Sequence, residues 1–107
     1  MTMRDDDMVL VGAVLEGACY SLEEFAAACR VSVQWVERRM EEGLLECAEE
    51  GPAGRRFSMQ DLRRARRMYA LEQDFDAVPE LAALVADLLE EMEALRTRLD
   101  RAGLGRM

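Results

Sequence analysis

The sequence predicts a mainly α-helical fold with a short β wing and a long C-terminal helix. Three serines stand where helices would begin, at Ser21, Ser32 and Ser58. A Gly-Pro-Ala-Gly turn at 51–54 separates Leu44-Leu45 from Arg55-Arg56-Phe57, and apolar residues recur at spacings of four and three over 81–99. At 107 residues the chain has room for one small domain and a projecting arm.

The first helix is predicted from Ser21 to about Arg30. Ser21 and Glu24 form a capping box, in which the serine accepts from a free helix amide and the glutamate accepts from the serine amide. The positions expected to face inward are Leu22, Phe25, Ala26 and Cys29. Upstream, residues 9–15 predict a short strand because they are rich in β-branched side chains, and residues 1–8 predict a disordered tail.

The second helix is predicted from Val33 to Glu42, with Ser32 as its cap and Gly43 at a left-handed end. Only two residues, 30–31, separate it from the first helix, which is the spacing of a helix-turn-helix.

The wing and the third helix follow. Leu44-Leu45 and Arg55-Arg56-Phe57 predict two short strands joined by the turn at 51–54. Ser58 with Asp61 repeats the capping pattern, and the third helix should fade near Asp74. Its expected inward residues are Leu62, Ala65, Met68 and Tyr69.

Pro79 suits the first turn of a last helix that extends to about Arg101. Spacings of four and three residues place one apolar seam along it, formed by Leu81, Val85, Leu88, Met92, Leu95 and Leu99. We interpret the seam as a homodimer interface; the alternative is packing against the same chain, with Leu84 and Leu89 at its flanks. The predicted divisions are a disordered tail at 1–8, a winged helix-turn-helix domain at 9–76, a dimerisation helix at 77–102 and a flexible tail at 103–107.

The composition excludes several function classes. The net charge of −8 is distributed as −5 over residues 1–29, +2 over 30–67 and −5 over 68–107, so only the middle could face a polyanion. The chain has three cysteines without paired spacing and no histidine, which argues against a metal site, a cofactor or an enzyme. The run at 8–15 is too short to cross a bilayer, so we expect a cytoplasmic protein without a membrane role.

The candidate partner-binding residues lie on the second helix. Trp35 falls out of step with the inward positions, and tryptophan is frequent among residues that dominate interfaces. Glu37, Glu41 and Glu42 surround it with negative charge. The simpler interpretation is that Trp35 closes the core over the first helix and the glutamates form a solvated face.

The rival interpretation is DNA binding. On a winged scaffold, Arg38 and Arg39 of the second helix and Arg55 and Arg56 of the wing would approach phosphates. Four more arginines follow within residues 63–67, although acidic residues at 72–76 and 87–93 could pair with them inside a dimer.

These motifs resemble a known superfamily. Four segments are similar to the winged helix-turn-helix of MerR proteins: Tyr20-Ser21-Leu22-Glu23-Glu24-Phe25-Ala26, Val31-Ser32-Val33, Gly43-Leu44-Leu45 and Arg56-Phe57-Ser58-Met59-Gln60-Asp61-Leu62. DNA-binding members carry an Arg-Tyr-Tyr-Glu run before Gly-Leu-Leu, where this sequence has Glu37-Arg38-Arg39-Met40.

Within that superfamily the chain looks most like the chaperone modulator CbpM family, through the Leu-Glu-Glu-Phe helix, the Asp74-Phe75 corner and the continuous Leu81–Leu99 helix. The resemblance implies a non-enzymatic modulator that binds the basic J-domain of a DnaJ/CbpA-type co-chaperone and blocks its productive interaction with Hsp70. A MerR-like DNA-binding regulator is the alternative.

Overall fold

The structure, a computed structural model, describes residues 20–103. Its elements in chain order are α1 (Leu22–Cys29), α2 (Val33–Glu41), β1 (Glu49–Gly51), β2 (Gly54–Arg56), α3 (Met59–Phe75) and α4 (Pro79–Ala102). The mainly helical winged helix-turn-helix fold that the sequence predicts is confirmed. The strand predicted at 9–15, the tail at 1–8 and most of the tail at 103–107 lie outside the described residues.

The serine caps position the first three helices as predicted. Ser21 accepts from the Glu24 amide at 3.1 Å, and Glu24 Oε1 accepts from the Ser21 amide at 2.9 Å. Ser58 and Asp61 make the same reciprocal pair at the start of α3. These caps satisfy amides that a helix start leaves without partners, which fixes where each helix begins.

Helix α2 ends one residue before the predicted limit, and Gly43 follows with the expected left-handed φ of +78°. The Leu44 amide then donates to the Arg39 carbonyl at 2.9 Å, which closes the end of the helix. α2 therefore leads directly into the segment that carries the wing.

The wing is an antiparallel hairpin in which Gly51 pairs with Gly54 and Glu49 pairs with Arg56. Its first strand begins at Glu49, so the prediction of a strand at Leu44-Leu45 was wrong. Leu45 is instead only 2% exposed within the core, because burying its side chain is more favourable than pairing its backbone in a wing open to water. A single bridge joins Phe57, after the wing, to Tyr20.

The core lies between α1, α2, α3 and the first half of α4. Phe25 of α1 and Phe57 stack with ring centroids 4.1 Å apart, and both are fully buried. Helix α4 contributes only small side chains to this core: Ala82, Ala83 and Ala86. Small residues let α4 approach closely, which brings its acidic residues within reach of α3.

Candidate functional site

The exposed face of α2 is predominantly acidic. Its exposed side chains are Gln34, Glu37, Arg38 and Glu41. Glu42 follows at the helix end, with its side chain 34% exposed. From residue 34 to residue 56 the sequence has six glutamates and four arginines, and one of those arginines is buried. The exposed face of α2 therefore carries a net negative charge, with two glutamates against one arginine.

Trp35 is not a free anchor on this face. It is half-buried, its indole Nε1 donates to Glu72 of α3 at 3.0 Å, and its ring meets Tyr69 edge-on at 5.6 Å. The Arg39 guanidinium lies over the same ring at 4.9 Å. Trp35 thus joins α2 to α3, whereas the alternative prediction had it covering α1.

Arg39 belongs to the same cluster and is only 6% exposed. Its Nε and Nη2 donate to the two oxygens of Glu72 at 3.0 and 2.9 Å, and its Nη1 reaches Glu42 at 3.3 Å. The hydrogen bond to Glu72, followed by the charges of Glu72 and Glu42, raises the pKa of Arg39 despite its desolvation. This placement removes Arg39 from the residues that could meet a phosphate.

The remaining arginines proposed for DNA contact differ in their surroundings. Arg38 is exposed on α2. Arg55 and Arg56 are half-buried on the wing, and Arg55 Nε lies 3.7 Å from Glu50. The positive charge of the wing is therefore partly neutralised by Glu50 of the same hairpin.

Two arginines of the basic run on α3 are paired with α4 of the same chain. Arg64 Nη1 lies 2.5 Å from Asp87 and 3.3 Å from Glu90, and Arg67 pairs with Glu93. Desolvation by burial acts to lower the pKa of Arg64. The hydrogen bonds to Asp87 and Glu90, together with the charges of these carboxylates, have the larger combined effect and raise the pKa. Likewise, the hydrogen bond from Arg67 lowers the pKa of Glu93. The expected pairing between these segments occurs, and it needs no second chain.

The seam of α4 is open to solvent in the single chain. Its side chains are about half exposed at Leu81, Leu88, Met92, Leu95 and Leu99, and Val85 is half-buried. Packing within the chain, the alternative prediction, thus leaves most of the seam about half exposed, while Leu89 at its flank is half-buried. Leu84 at its flank is also 53% exposed, because the inward face of α4 is built from alanines.

Glu72 and Arg64 connect helices in the structure, but neither was predicted as a site residue from the sequence. Glu72 follows Ala65, Met68 and Tyr69 at helical spacing, and this pattern could have placed a carboxylate on the inward face of α3. No local sequence pattern pointed to Arg64. The Leu44 carbonyl to which it donates lies 20 residues away in the sequence, and Asp87 and Glu90 lie more than 20 residues away.

No group of three His, Cys, Asp or Glu side chains that could hold a metal ion occurs among the residues described. Within residues 20–103, no helix combines the length and hydropathy that a bilayer crossing would require.

The fold and the capped helix pair define a winged helix-turn-helix regulator-type domain. A model of the family described as MerR HTH family regulatory protein matches residues 20–102, more than three quarters of the chain. The chain therefore belongs to the MerR family of helix-turn-helix regulatory proteins. A search of curated proteins and a search of solved structures found no match.

Proposed function

We propose that this chain is a non-enzymatic regulator whose acidic α2 face binds the basic J-domain of a DnaJ/CbpA-type co-chaperone and blocks its productive interaction with Hsp70. The observation that carries the proposal is the charge of the exposed face of α2. Glu37 and Glu41 outnumber Arg38 on that face, while Arg39 of the same helix is buried against Glu72. A face of this sign repels DNA phosphates and attracts a cationic protein surface.

The identity of the partner rests on the resemblance to the CbpM family. J-domains carry a basic helix beside a His-Pro-Asp loop, and opposite charge speeds encounter and orients docking. A modulator on that surface inhibits by occupying the docking site of the Hsp70 partner. This action requires binding energy and no chemistry, in keeping with a cytoplasmic regulator that has no cofactor.

The proposal includes a homodimer formed through α4. A contiguous apolar stripe open to water is costly for a small protein, and a second copy would cover it. The free half of α4, residues 91–102, is exposed along its whole length, so it has room for a partner helix.

The test is a titration of the purified chain against the J-domains encoded in its genome at moderate salt. We expect saturable binding to one of them. The variant Glu37→Gln with Glu41→Gln should weaken that binding by about tenfold at low salt, since two carboxylates at the contact lose their charge.

The matched control is Glu23→Gln with Asp74→Asn, which removes two exposed carboxylates that take part in no ion pair among the described residues. It should bind as the wild type does. Absence of saturable binding to every J-domain sinks the proposal, and equal weakening by both variants would show that only net charge matters.

DNA binding is the second candidate, because the family description fits it equally well and Arg38, Arg55 and Arg56 are not fully buried. It predicts a gel shift on the chain's own promoter that weakens steeply with salt. The shift should fall with Arg55→Ala and Arg56→Ala together, and persist with Arg98→Ala and Arg101→Ala on α4. A chain that gives no shift at low salt is not a DNA-binding regulator.

A further inference from the structure

Arg64 of α3 connects three parts of the domain through one guanidinium group. Its Nε and Nη2 donate to the Leu44 carbonyl at 3.2 and 3.1 Å. Its Nη1 donates to Asp87 and Glu90 on α4. An arginine side chain has five N–H groups in a rigid planar fork. Three of its nitrogens are therefore shared between the α2–wing junction and α4.

The Leu44 peptide is the point where α2 passes into the wing segment. Its amide donates to the Arg39 carbonyl, the last turn of α2, and its carbonyl accepts from Arg64. The next residue, Leu45, is buried. A change in the orientation of this peptide therefore changes how α2 ends and how the wing segment begins.

Among the described residues, side-chain hydrogen bonds join α2 and its end to α3 at two places. At one of them Glu72 accepts from Arg39 and Trp35, and no described hydrogen bond joins these three residues to α4. The other is the bond from Arg64 to Leu44, whose guanidinium also contacts α4. Of these two described contacts, only the second connects α4 to the end of α2.

We propose that Asp87 and Glu90 act through Arg64 as positioning residues for the acidic α2 face, so that a change at α4 alters how that face is presented. The guanidinium of Arg64 is rigid and planar, so its nitrogens move together. If the carboxylates of Asp87 and Glu90 move, Nη1 follows them, and Nε and Nη2 then move away from the Leu44 carbonyl. Leu88 of the seam lies between Asp87 and Glu90 in the chain, so contact at the seam acts on the same helical turn. The functional consequence rests on the proposed role of α2, but the structural coupling does not.

Hydrogen exchange tests the coupling without any partner. The variant Asp87→Ala with Glu90→Ala removes two side chains, 58% and 30% exposed, whose described hydrogen bonds go to Arg64 and not to α2. Exchange of the Gly43 and Leu44 amides should accelerate by about tenfold, because the Arg64 guanidinium that donates to the Leu44 carbonyl is no longer held in position by the two carboxylates. Glu93→Ala is the control, because it breaks the neighbouring pair with Arg67, which contacts no residue of α2 in the described hydrogen bonds.

A second background distinguishes coupling from general loosening. Arg64→Lys keeps the charge but lacks the fork, so Asp87→Ala with Glu90→Ala should add no further acceleration in that background. Equal acceleration by the Glu93→Ala control, or a full additional effect in the Arg64→Lys background, overturns the proposal.

Binding of the J-domain gives the functional measurement. The Asp87→Ala and Glu90→Ala variant should weaken its affinity several-fold, with the Glu93→Ala control close to wild type; an unchanged affinity beside accelerated exchange overturns the positioning role. If the wild-type chain binds no J-domain, the proposed function fails, while the exchange measurement still decides the coupling.

Discussion

At the scale of single residues, Glu72 joins α2 to α3. Its two oxygens accept from Arg39, and one of them also accepts from the Trp35 indole. The side chains of Arg39 and Glu72 are 8% and 9% exposed, so water cannot replace these bonds. Removing one partner of such a pair leaves the other buried and uncompensated.

We predict that Glu72→Ala lowers the free energy of unfolding by about 3 kcal/mol, because it leaves the Arg39 charge and the Trp35 N–H without their acceptor. Urea denaturation followed by far-ultraviolet circular dichroism measures the change. Combining it with Arg39→Met should recover much of the loss, since no buried charge remains. A loss within measurement error for the single variant would contradict this role.

Cys29 gives a pH-dependent prediction. Burial raises the pKa of its thiol from 9.0 to about 11, with the charge of Arg66 acting in the opposite direction. The unfolded thiol ionises first as pH rises, so the stabilisation is complete below the unfolded pKa and is lost as pH passes through the folded pKa.

The stability difference between wild type and Cys29→Ala should therefore shrink by on the order of 1 kcal/mol between about pH 8 and pH 11. Chemical denaturation of both proteins at several pH values measures this difference. The other titrating groups are the same in both proteins, so their contributions cancel in the subtraction. A difference that is constant with pH would show that the thiol is accessible to water.

Residues that act locally were the ones the sequence predicted well. Ser21 and Ser58 meet partners three residues away, so their spacing alone specifies the cap. Arg39 meets Glu72 at a separation of 33 residues, and that pairing depends on how α2 packs on α3. Sequence patterns therefore identified the helix starts and misassigned Arg39 to a DNA surface.

Among the elements, α4 divides into two halves with different surroundings. The first half packs Ala82, Ala83 and Ala86 into the core. The side chains of the second half are exposed to solvent. Among the described residues, an ion pair between Glu93 of this half and Arg67 of α3 connects it to the rest of the domain. The repeat of apolar residues predicted the seam, but only the packed domain shows that the seam faces away from it.

We predict that Leu88→Asp with Leu95→Asp yields a monomer in sedimentation while the helical circular dichroism of the domain is largely retained. Both leucines are about half exposed in the single chain, so the charges disrupt the contact with a second copy more than the core. Ala94→Asp with Thr97→Asp adds the same charge on the opposite side of the helix and should leave the mass unchanged. If the double leucine variant keeps the wild-type mass, the seam is not the dimer interface.

The wing shows where an apolar pattern misleads. Leu44 and Leu45 suggested a strand, yet the hairpin forms from Glu49 to Arg56, where no side chain is apolar except those of Pro52 and Ala53 in its turn. The turn residues predicted the hairpin loop correctly because glycine supplies the positive φ that Gly54 adopts. The first strand begins only at Glu49, after Leu45 is buried in the core, and a local sequence pattern does not predict that burial.

On the scale of the whole molecule, the net charge of −8 is only partly neutralised within the fold. Arg39, Arg64 and Arg67 are each paired with carboxylates of their own chain. Residues 68–95 contain no basic side chain at all. The long-range field that a partner meets is therefore negative.

We predict that the association rate with a basic J-domain falls roughly tenfold between about 0.05 and 0.5 M salt, whereas the dissociation rate changes much less, because screening acts mainly on encounter. Stopped-flow fluorescence measures both rates. A rate that rises with salt would indicate that apolar contact, rather than charge, governs the encounter.

The two halves of α4 also differ in how strictly folding constrains their side chains. Larger side chains at Ala82, Ala83 or Ala86 would disturb the core, because each of these alanines is buried. From Glu91 to Ala102 every side chain is exposed, so the folding of the domain hardly constrains the apolar positions there. Substitutions in that half can therefore change the surface of α4 without changing the scaffold that presents α2.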